Sequence, residues 1–255
     1  MHPLFDLGSQ VALITGSTKG IGRAIAERMA ECGARVVISS RKAVACEQVA
    51  AELTARGQRA IGLACNINDK EQLSKLVDET RKAYGRIDVL VCNAAVNPYY
   101  GPSQSIDDGA FDKILSANIR SNHWLCQMVI PEMAERGAGS VIVISSIGGL
   151  KGSATLGAYG ISKAADMQLV RNLAVEWGSR NVRVNAIAPG LVRTDFARAL
   201  WENPKVYESA VSRYPLGRIG EPDEIAGAAV FLASQAGSFM TGQTLVIDGG
   251  ATIAG

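Results

Sequence analysis

Tyr159 and Lys163 stand four residues apart in Tyr159-Gly160-Ile161-Ser162-Lys163, near the start of a predicted helix over 157–178. That spacing puts both side chains on one helix face. A free phenol titrates near about 10 and is a poor acid–base catalyst at neutral pH. A neighbouring ammonium favours the phenolate, and each unit of downward shift corresponds to about 1.4 kcal/mol. Such a pair can give a proton to a carbonyl oxygen or take one from an alcohol. The spacing alone is weak. Tyr214 and Arg218 share it, but Pro215 and Gly217 interrupt any helix there, and that pair is read as structural. Tyr159 is singled out by Ser146, which lies just past a predicted strand over 141–145. From that place its hydroxyl can hold the oxygen that Tyr159 protonates. Without the tyrosine, Ser146 beside Gly148 and Gly149 would read as a turn serine.

A second constellation follows the first predicted strand: Thr15-Gly16-Ser17-Thr18-Lys19-Gly20-Ile21-Gly22. Glycines let the backbone turn sharply and approach a ligand, and the helix that follows offers unpaired N–H groups to a pyrophosphate. The spacing is G-x-x-x-G-x-G rather than G-x-G-x-x-G, yet its place between a strand and a helix predicts a dinucleotide site. A carboxylate usually ends the second strand of such a site and binds the ribose hydroxyls. Here the chain reads Ile38-Ser39-Ser40-Arg41-Lys42. Arg41 offers a planar fork for a phosphate, and Lys19 is read as a second cation on the same side. Arg41 and Lys42 can also be solvated loop cations. The missing acid favours the phosphate reading, and the predicted cofactor is NADP (NADPH), whose oxidised ring adds positive charge beside Tyr159.

These groups need a frame, and the hydrophobic pattern supplies one. Short β-branched runs at 11–15, 35–39, 60–64, 87–92, 141–145, 182–188 and 244–247 alternate with helical periods at 21–32, 43–56, about 69–84, about 107–136, 157–178 and 223–234. Pro131 is expected to bend or break the fourth helix. Residues 189–221 have weak periodicity and are expected to be irregular. Strand and helix repeated in this way imply a mostly parallel sheet covered on both faces. Right-handed crossovers make it a doubly wound α/β fold of the Rossmann type, with about seven strands. No linker or composition shift divides residues 1–255, and a single dinucleotide-binding and catalytic domain is expected.

Composition excludes several classes. Net charge is +2 with no long cationic run, which argues against nucleic acid or an anionic membrane as partner. No apolar stretch approaches the ~20 residues of a membrane span, and the first residues lack a signal-peptide pattern. Five scattered cysteines, none in a C-x-x-C pair, suit small core hydrophobes in a reducing, cytoplasmic setting, with no metal site. His2 and His123 are not credible bases. Tyr99, Tyr100, Leu150, Leu156, Phe196 and Trp201 are candidates for a substrate pocket wall, or equally for packing.

Taken together, the chain resembles the short-chain dehydrogenase/reductase family along essentially its whole length. The motifs are Thr15-Gly16-x-x-x-Gly20-x-Gly22, Asn93-Ala94-Ala95, Asn118, Ser146, Tyr159-x-x-x-Lys163, Pro189-Gly190 and Asp248-Gly249-Gly250. The resemblance implies that Asn118 completes a catalytic set with Ser146, Tyr159 and Lys163 by holding a water chain that links Lys163 to solvent. It implies that Lys163 binds the nicotinamide ribose and that Asn93 lies beside the cofactor. It implies that the segment from Pro189 through Gly190 and Val192 to Thr194 covers the nicotinamide, with Ile187 and Thr194 near its carboxamide. Hydride transfer on the pro-S face and a homotetramer paired through the fourth and fifth helices follow from the same likeness. Residues Ala164, Ala165, Leu169, Leu173 and Ala174 are candidates for the paired face. Two positions depart from the family pattern: Cys92 precedes Asn93 where asparagine is frequent, and Asn66, followed by Ile67, stands where an aspartate often meets the adenine. The Asn66 amide can still accept a hydrogen bond. The expected activity is NADP-dependent interconversion of a small ketone or aldehyde with an alcohol. A 3-oxoacyl-thioester reductase acting on an acyl carrier protein or CoA is the alternative within the class, and a catalytically silent NADP-binding sensor is the alternative outside it.

Overall fold

The computed structural model describes residues 2–254. Seven strands, β1 (Val11–Thr15), β2 (Arg35–Ser40), β3 (Arg59–Ala64), β4 (Val89–Cys92), β5 (Gly139–Ile144), β6 (Val182–Pro189) and β7 (Thr244–Ile247), form one sheet in the order β3-β2-β1-β4-β5-β6-β7. Every pairing is parallel. The reason lies in the alternation along each strand. In β1, Ala12 and Ile14 pack on one face while Leu13 packs on the other, and β4 repeats this with Val89 and Val91 against Leu90 and Cys92. A sheet apolar on both faces must be covered on both.

Helices α1 (Gly20–Glu31) and α2 (Ala43–Ala55) cover the first face with α9 (Pro222–Ala233). The second face is covered by α3 (Lys70–Tyr84), α5 (Ser121–Arg136) and α6 (Gly157–Trp177). Asp69 caps α3 by accepting from the amides of Glu71 and Gln72, and Gly85 ends it in the left-handed conformation. Strand order reverses beside β1, whose neighbours are β2 and β4, and the crevice at the carboxyl ends of β1, β4 and β5 receives the predicted site residues.

Two expectations are corrected. The predicted helix over 107–136 is not broken at Pro131, which sits inside α5. The interruption comes earlier. Helix α4 (Asp108–Leu115) passes into a π-helical turn over Ser116–Arg120, in which the Ser121 amide reaches back five residues to the Ser116 carbonyl. The wider turn shifts the carbonyl ladder, and the Asn118 carbonyl receives the side-chain amide of Asn122 at 2.6 Å. Nor is 189–221 irregular. It contains two short helices, α7 (Arg198–Trp201) and α8 (Pro204–Val211). Their few turns give too short an apolar repeat to be read from spacing.

Candidate active site

Tyr159 and Lys163 lie on the first two turns of α6, with the Lys163 Nζ 5.7 Å from the centre of the Tyr159 ring. Ser146 follows the end of β5, and its hydroxyl lies beside Tyr159 across Gly148, close enough to favour the ionised phenol. Two glycines make this approach possible. A side chain at Gly149 would meet the backbone of Lys163 and Ala164 at 2.6–3.0 Å, and one at Gly160 would meet the Gly148 carbonyl at 2.7 Å. Without side chains there, the short loop after Ser146 lies flat on α6. Gly149 and Gly160 are thus more than turn formers.

Asn118 is fully buried in the π turn, and its amide ties three segments together. It donates to Val96 O at 3.0 Å and Ser162 Oγ at 3.0 Å, and accepts from Val96 N at 2.8 Å. Ser162 in turn donates to the Tyr159 carbonyl at 2.7 Å. Single π turns inside α-helices occur frequently at functional sites. The structure therefore brings Asn118, Ser146, Tyr159 and Lys163 together.

Lys163 is 2% exposed, which is rare for a lysine and requires partners. It donates to Ile144 O at 2.9 Å and Asp166 Oδ2 at 3.0 Å. Burial works to lower its pKa, but the charge of Asp166, joined by that of Tyr159 whenever it is ionised, holds it above the ordinary value. Tyr159 departs from the simple expectation that an ammonium favours phenolate. Burial raises its pKa, the Lys163 ammonium pulls it back, Asp166 adds to the rise, and the Ser146 hydrogen bond opposes it; the sum lies above the ordinary value. The resting group is therefore a phenol, a proton donor at neutral pH.

The glycine turn fits a nucleotide in its chemistry. Lys19 at the N-cap of α1 makes no side-chain cap, which leaves the first-turn amides turned toward the crevice. Asn93 clamps the turn, donating to Thr15 O at 2.8 Å and Gly16 O at 3.1 Å, and a side chain at Gly22 would strike that same Asn93 amide. Gly16 at φ +67° and Gly20 at φ +56° occupy the left-handed region that glycine enters without strain. Arg41 is exposed just past β2, next to Ser40, whose hydroxyl rests on Cys46 Sγ at 3.3 Å. Asn66 caps the turn after β3 by accepting from Asn68 N at 3.2 Å and keeps a lone pair on that oxygen, and Ile67 is buried beside it. Val192 is buried at the start of the covering segment, and Thr194 accepts from Ala197 N at 3.3 Å.

Three predicted placements need correction. Ser17 is fully buried, and its hydroxyl is used up between strands, donating to Ile14 O at 2.7 Å and accepting from Ser39 N at 2.9 Å. It shapes the turn from within instead of facing a ligand. Ile187 is also fully buried, its side chain in the core cluster shared with α9, which leaves only its backbone to meet a ligand. Lys19, expected as a second cation beside Arg41, instead makes an exposed ion pair with Asp195 Oδ2 at 3.4 Å.

The segment after Pro189 reaches Tyr159. The Phe196 ring lies 6.1 Å from the Tyr159 ring, and Trp201 donates its indole N–H to Thr194 O at 2.9 Å with Arg193 stacked 5.3 Å from its ring. Beside Tyr159 lies a narrow recess lined by Asn97, Tyr99, Ser103, Leu156 and Ala158 among others. Tyr99 and Leu156, candidates for the pocket wall, both line that recess. Tyr100 and Leu150 are exposed, and Trp201 is engaged within the cover itself. Sequence reading missed Asn97, Asn122 and Asp166. The last had a legible signal, since it follows Lys163 by three residues on the same helix face.

Comparison with known proteins agrees with this geometry. A family model described as enoyl-(acyl carrier protein) reductase matches residues 16–252. Dehydrogenase/reductase SDR family member 4 of Bos taurus is 43% identical over 244 residues, covering 96% of this chain and 88% of the relative. A gluconate 5-dehydrogenase from Burkholderia cenocepacia J2315, solved with NADP and tartrate, superposes with a TM-score of 0.95 at 32% identity over 99% of both chains. A 7α-hydroxysteroid dehydrogenase, solved with NADH and 7-oxo glycochenodeoxycholic acid, gives 0.94 at 35% identity over 98% of this chain and 97% of that one.

Proposed function

Since the chain belongs to the short-chain dehydrogenase/reductase family, we propose that it is an NADP-dependent oxidoreductase that interconverts a ketone or aldehyde with its alcohol, using Tyr159 as the acid and base. The observation that carries this reading is the contact of Ser146, Tyr159 and Lys163 at the carboxyl end of β5. Ser146 and Tyr159 converge on one point, where a carbonyl oxygen accepts a hydrogen bond from each. Tyr159 then gives its proton to that oxygen, or takes it back in the reverse direction. The Lys163 ammonium has three hydrogens and spends two, on Ile144 and Asp166, so one remains for the nicotinamide ribose or the phenol. Asn118 holds Val96 and Ser162, and through Ser162 the backbone of Tyr159. Bound nicotinamide supplies or accepts the hydride. The Gly16–Gly22 turn, Arg41 and Asn66 would hold its nucleotide, and the lack of any carboxylate at the end of β2 supports NADP over NAD.

The family model's description names an acyl-carrier-protein substrate, which favours as second reading a 3-oxoacyl-thioester reductase acting on an acyl carrier protein or CoA. An acidic carrier or CoA would call for unpaired cations at the mouth. Here Arg193 pairs with Glu221, Arg198 with Asp195 and Glu202, and Lys19 with Asp195, which supports a small neutral carbonyl instead. A silent sensor would not need all four site residues in contact. The test is a steady-state screen of ketones and aldehydes with NADPH. Turnover is expected, and tight NADPH binding without reduction of any carbonyl would favour the sensor.

We also infer a cytoplasmic homotetramer. The five cysteines are free thiols, as a reducing compartment requires, and no described helix is long and apolar enough to cross a membrane. Of the residues expected on the paired face, Leu173 and Ala174 turn inward to the sheet, whereas Ile161, Ala164 and Val175 are exposed along α6. Val175 at 87% exposure is apolar surface that a symmetric partner would cover. Light scattering at micromolar concentration is expected to give four times the chain mass, and a monomer would contradict the assembly.

A further inference from the structure

Beneath the reacting groups lies a charged residue for which the proposed reaction has no evident use. Asp166 is 0% exposed, and its neighbour Asn122 is 3% exposed. A carboxylate this deep is costly unless each oxygen finds a donor. Each does. Oδ2 accepts from the Lys163 ammonium at 3.0 Å, and Oδ1 accepts from the Asn122 amide at 3.0 Å. The other Asn122 hydrogen bond goes to the Asn118 carbonyl at 2.6 Å, so the network joins two members of the site through a third and fourth residue. Helix spacing sets this up. Asp166 lies one turn beyond Lys163 on α6, and Asn122 one turn beyond Asn118 where the π turn enters α5.

Seen from the Tyr159 ring, Lys163 Nζ at 5.7 Å has a carboxylate bonded behind it at 3.0 Å. The field of such a pair falls off faster with distance than that of a lone cation, and in a buried setting little solvent screens either. We propose that Asp166, held by Asn122, is a positioning residue of this active site: it fixes the Lys163 ammonium as one half of a buried ion pair, so that Tyr159 faces a dipole instead of a bare cation and stays poised to donate its proton. The inference rests on the reading of Tyr159 as the acid and base, and it tilts that reading toward carbonyl reduction at neutral pH.

The other groups around the pair do not supply this charge. Cys92 on β4 faces it as a thiol, pushed well up by the Cys126 hydrogen bond and by burial. The hydroxyls of Ser145, Ser146 and Ser162 and the amide of Asn118 are uncharged. Tyr159 itself is held above its ordinary value first by burial, with Asp166 adding to the rise against the pull of Lys163.

The experiment is a spectroscopic pH titration of phenolate absorbance in the unliganded protein, wild type against Asp166→Asn, each referenced to the same protein carrying Tyr159→Phe. Asp166→Asn keeps the shape and removes the charge; its one amide oxygen can still accept from Lys163, while its NH2 replaces the oxygen that accepts from Asn122. The Tyr159 step is expected to move to lower pH in Asp166→Asn. A step at the same or higher pH would overturn the proposal. Asp166→Ser, smaller but equally uncharged, is the second variant should the buried amide prevent folding, and the same downward movement is expected of it. The titration needs neither substrate nor turnover, so its failure is distinct from failure of the proposed reaction, which the activity of Tyr159→Phe decides independently.

Discussion

Tyr159→Phe is expected to lower turnover by about 10²–10⁴-fold while NADPH binds nearly as before. The substitution removes one oxygen. The ring that packs 6.1 Å from Phe196 remains, as does the Asn118–Ser162 link to the helix backbone, so the shape of the pocket is retained. Ser146 alone can hold a carbonyl oxygen, but an aliphatic hydroxyl is a far weaker acid than a phenol. The pH profile carries a second signature. Tyr159 sits above its ordinary pKa because burial outweighs the Lys163 ammonium. Carbonyl reduction uses the protonated phenol, so its kcat/KM should hold through neutral pH and fall only on the alkaline side. Alcohol oxidation uses the phenolate and should rise there. Both limbs should vanish in Tyr159→Phe. A mutant that keeps more than a tenth of the wild-type rate would mean that another group moves the proton.

The second large effect is expected in cofactor choice. Measured as the ratio of kcat/KM values, the wild type should favour NADPH over NADH by about ten- to a hundredfold. Arg41→Ala should raise the KM for NADPH far more than that for NADH. Ser40→Asp should reverse the preference, because it adds a charge that repels the 2′-phosphate and an acceptor for a ribose hydroxyl. Arg41 carries more of this argument than the sequence suggested. Lys19 was expected beside it, but its ammonium is committed to Asp195 on the covering segment. Arg41 is exposed and makes no hydrogen bond or ion pair among the described residues, so its guanidinium is available for bidentate contact with a phosphate. The structural relatives differ on this point, one being solved with NADP and another with NADH, so only the measured ratio decides it. A wild-type preference for NADH would mean that Arg41 stays in solvent.

What could be read in the sequence follows from what is local. Each strand core was legible because its apolar residues alternate between two buried faces, as Ala12, Leu13 and Ile14 do. The Tyr159–Lys163 pair was legible because helix geometry brings i and i+4 together. The π turn was not, because nothing in Ser116–Arg120 announces a five-residue hydrogen bond; the Asn122 side chain that meets the displaced carbonyl acts only once the helix is folded. The roles of Ser17 and Lys19 were misread for a related reason. A residue inside a ligand-binding turn can face the ligand or the scaffold, and β2 and the distant Asp195 decide which. Asp166 was passed over because a charged residue in a helix is ordinarily solvated, and only the depth of α6 at that point makes it otherwise.

The claim that unites these observations is that hydride and proton reach one carbonyl group at the point where Ser146 and Tyr159 converge. It is tested most directly by supplying NADPH deuterated at the pro-S position of C4 in the carbonyl screen and weighing the alcohol formed. The account predicts one deuterium on the carbinol carbon of the product with wild type, and no labelled alcohol with Tyr159→Phe on the same timescale. Unlabelled alcohol from pro-S-deuterated NADPH, or equal labelled product from the mutant, would contradict it.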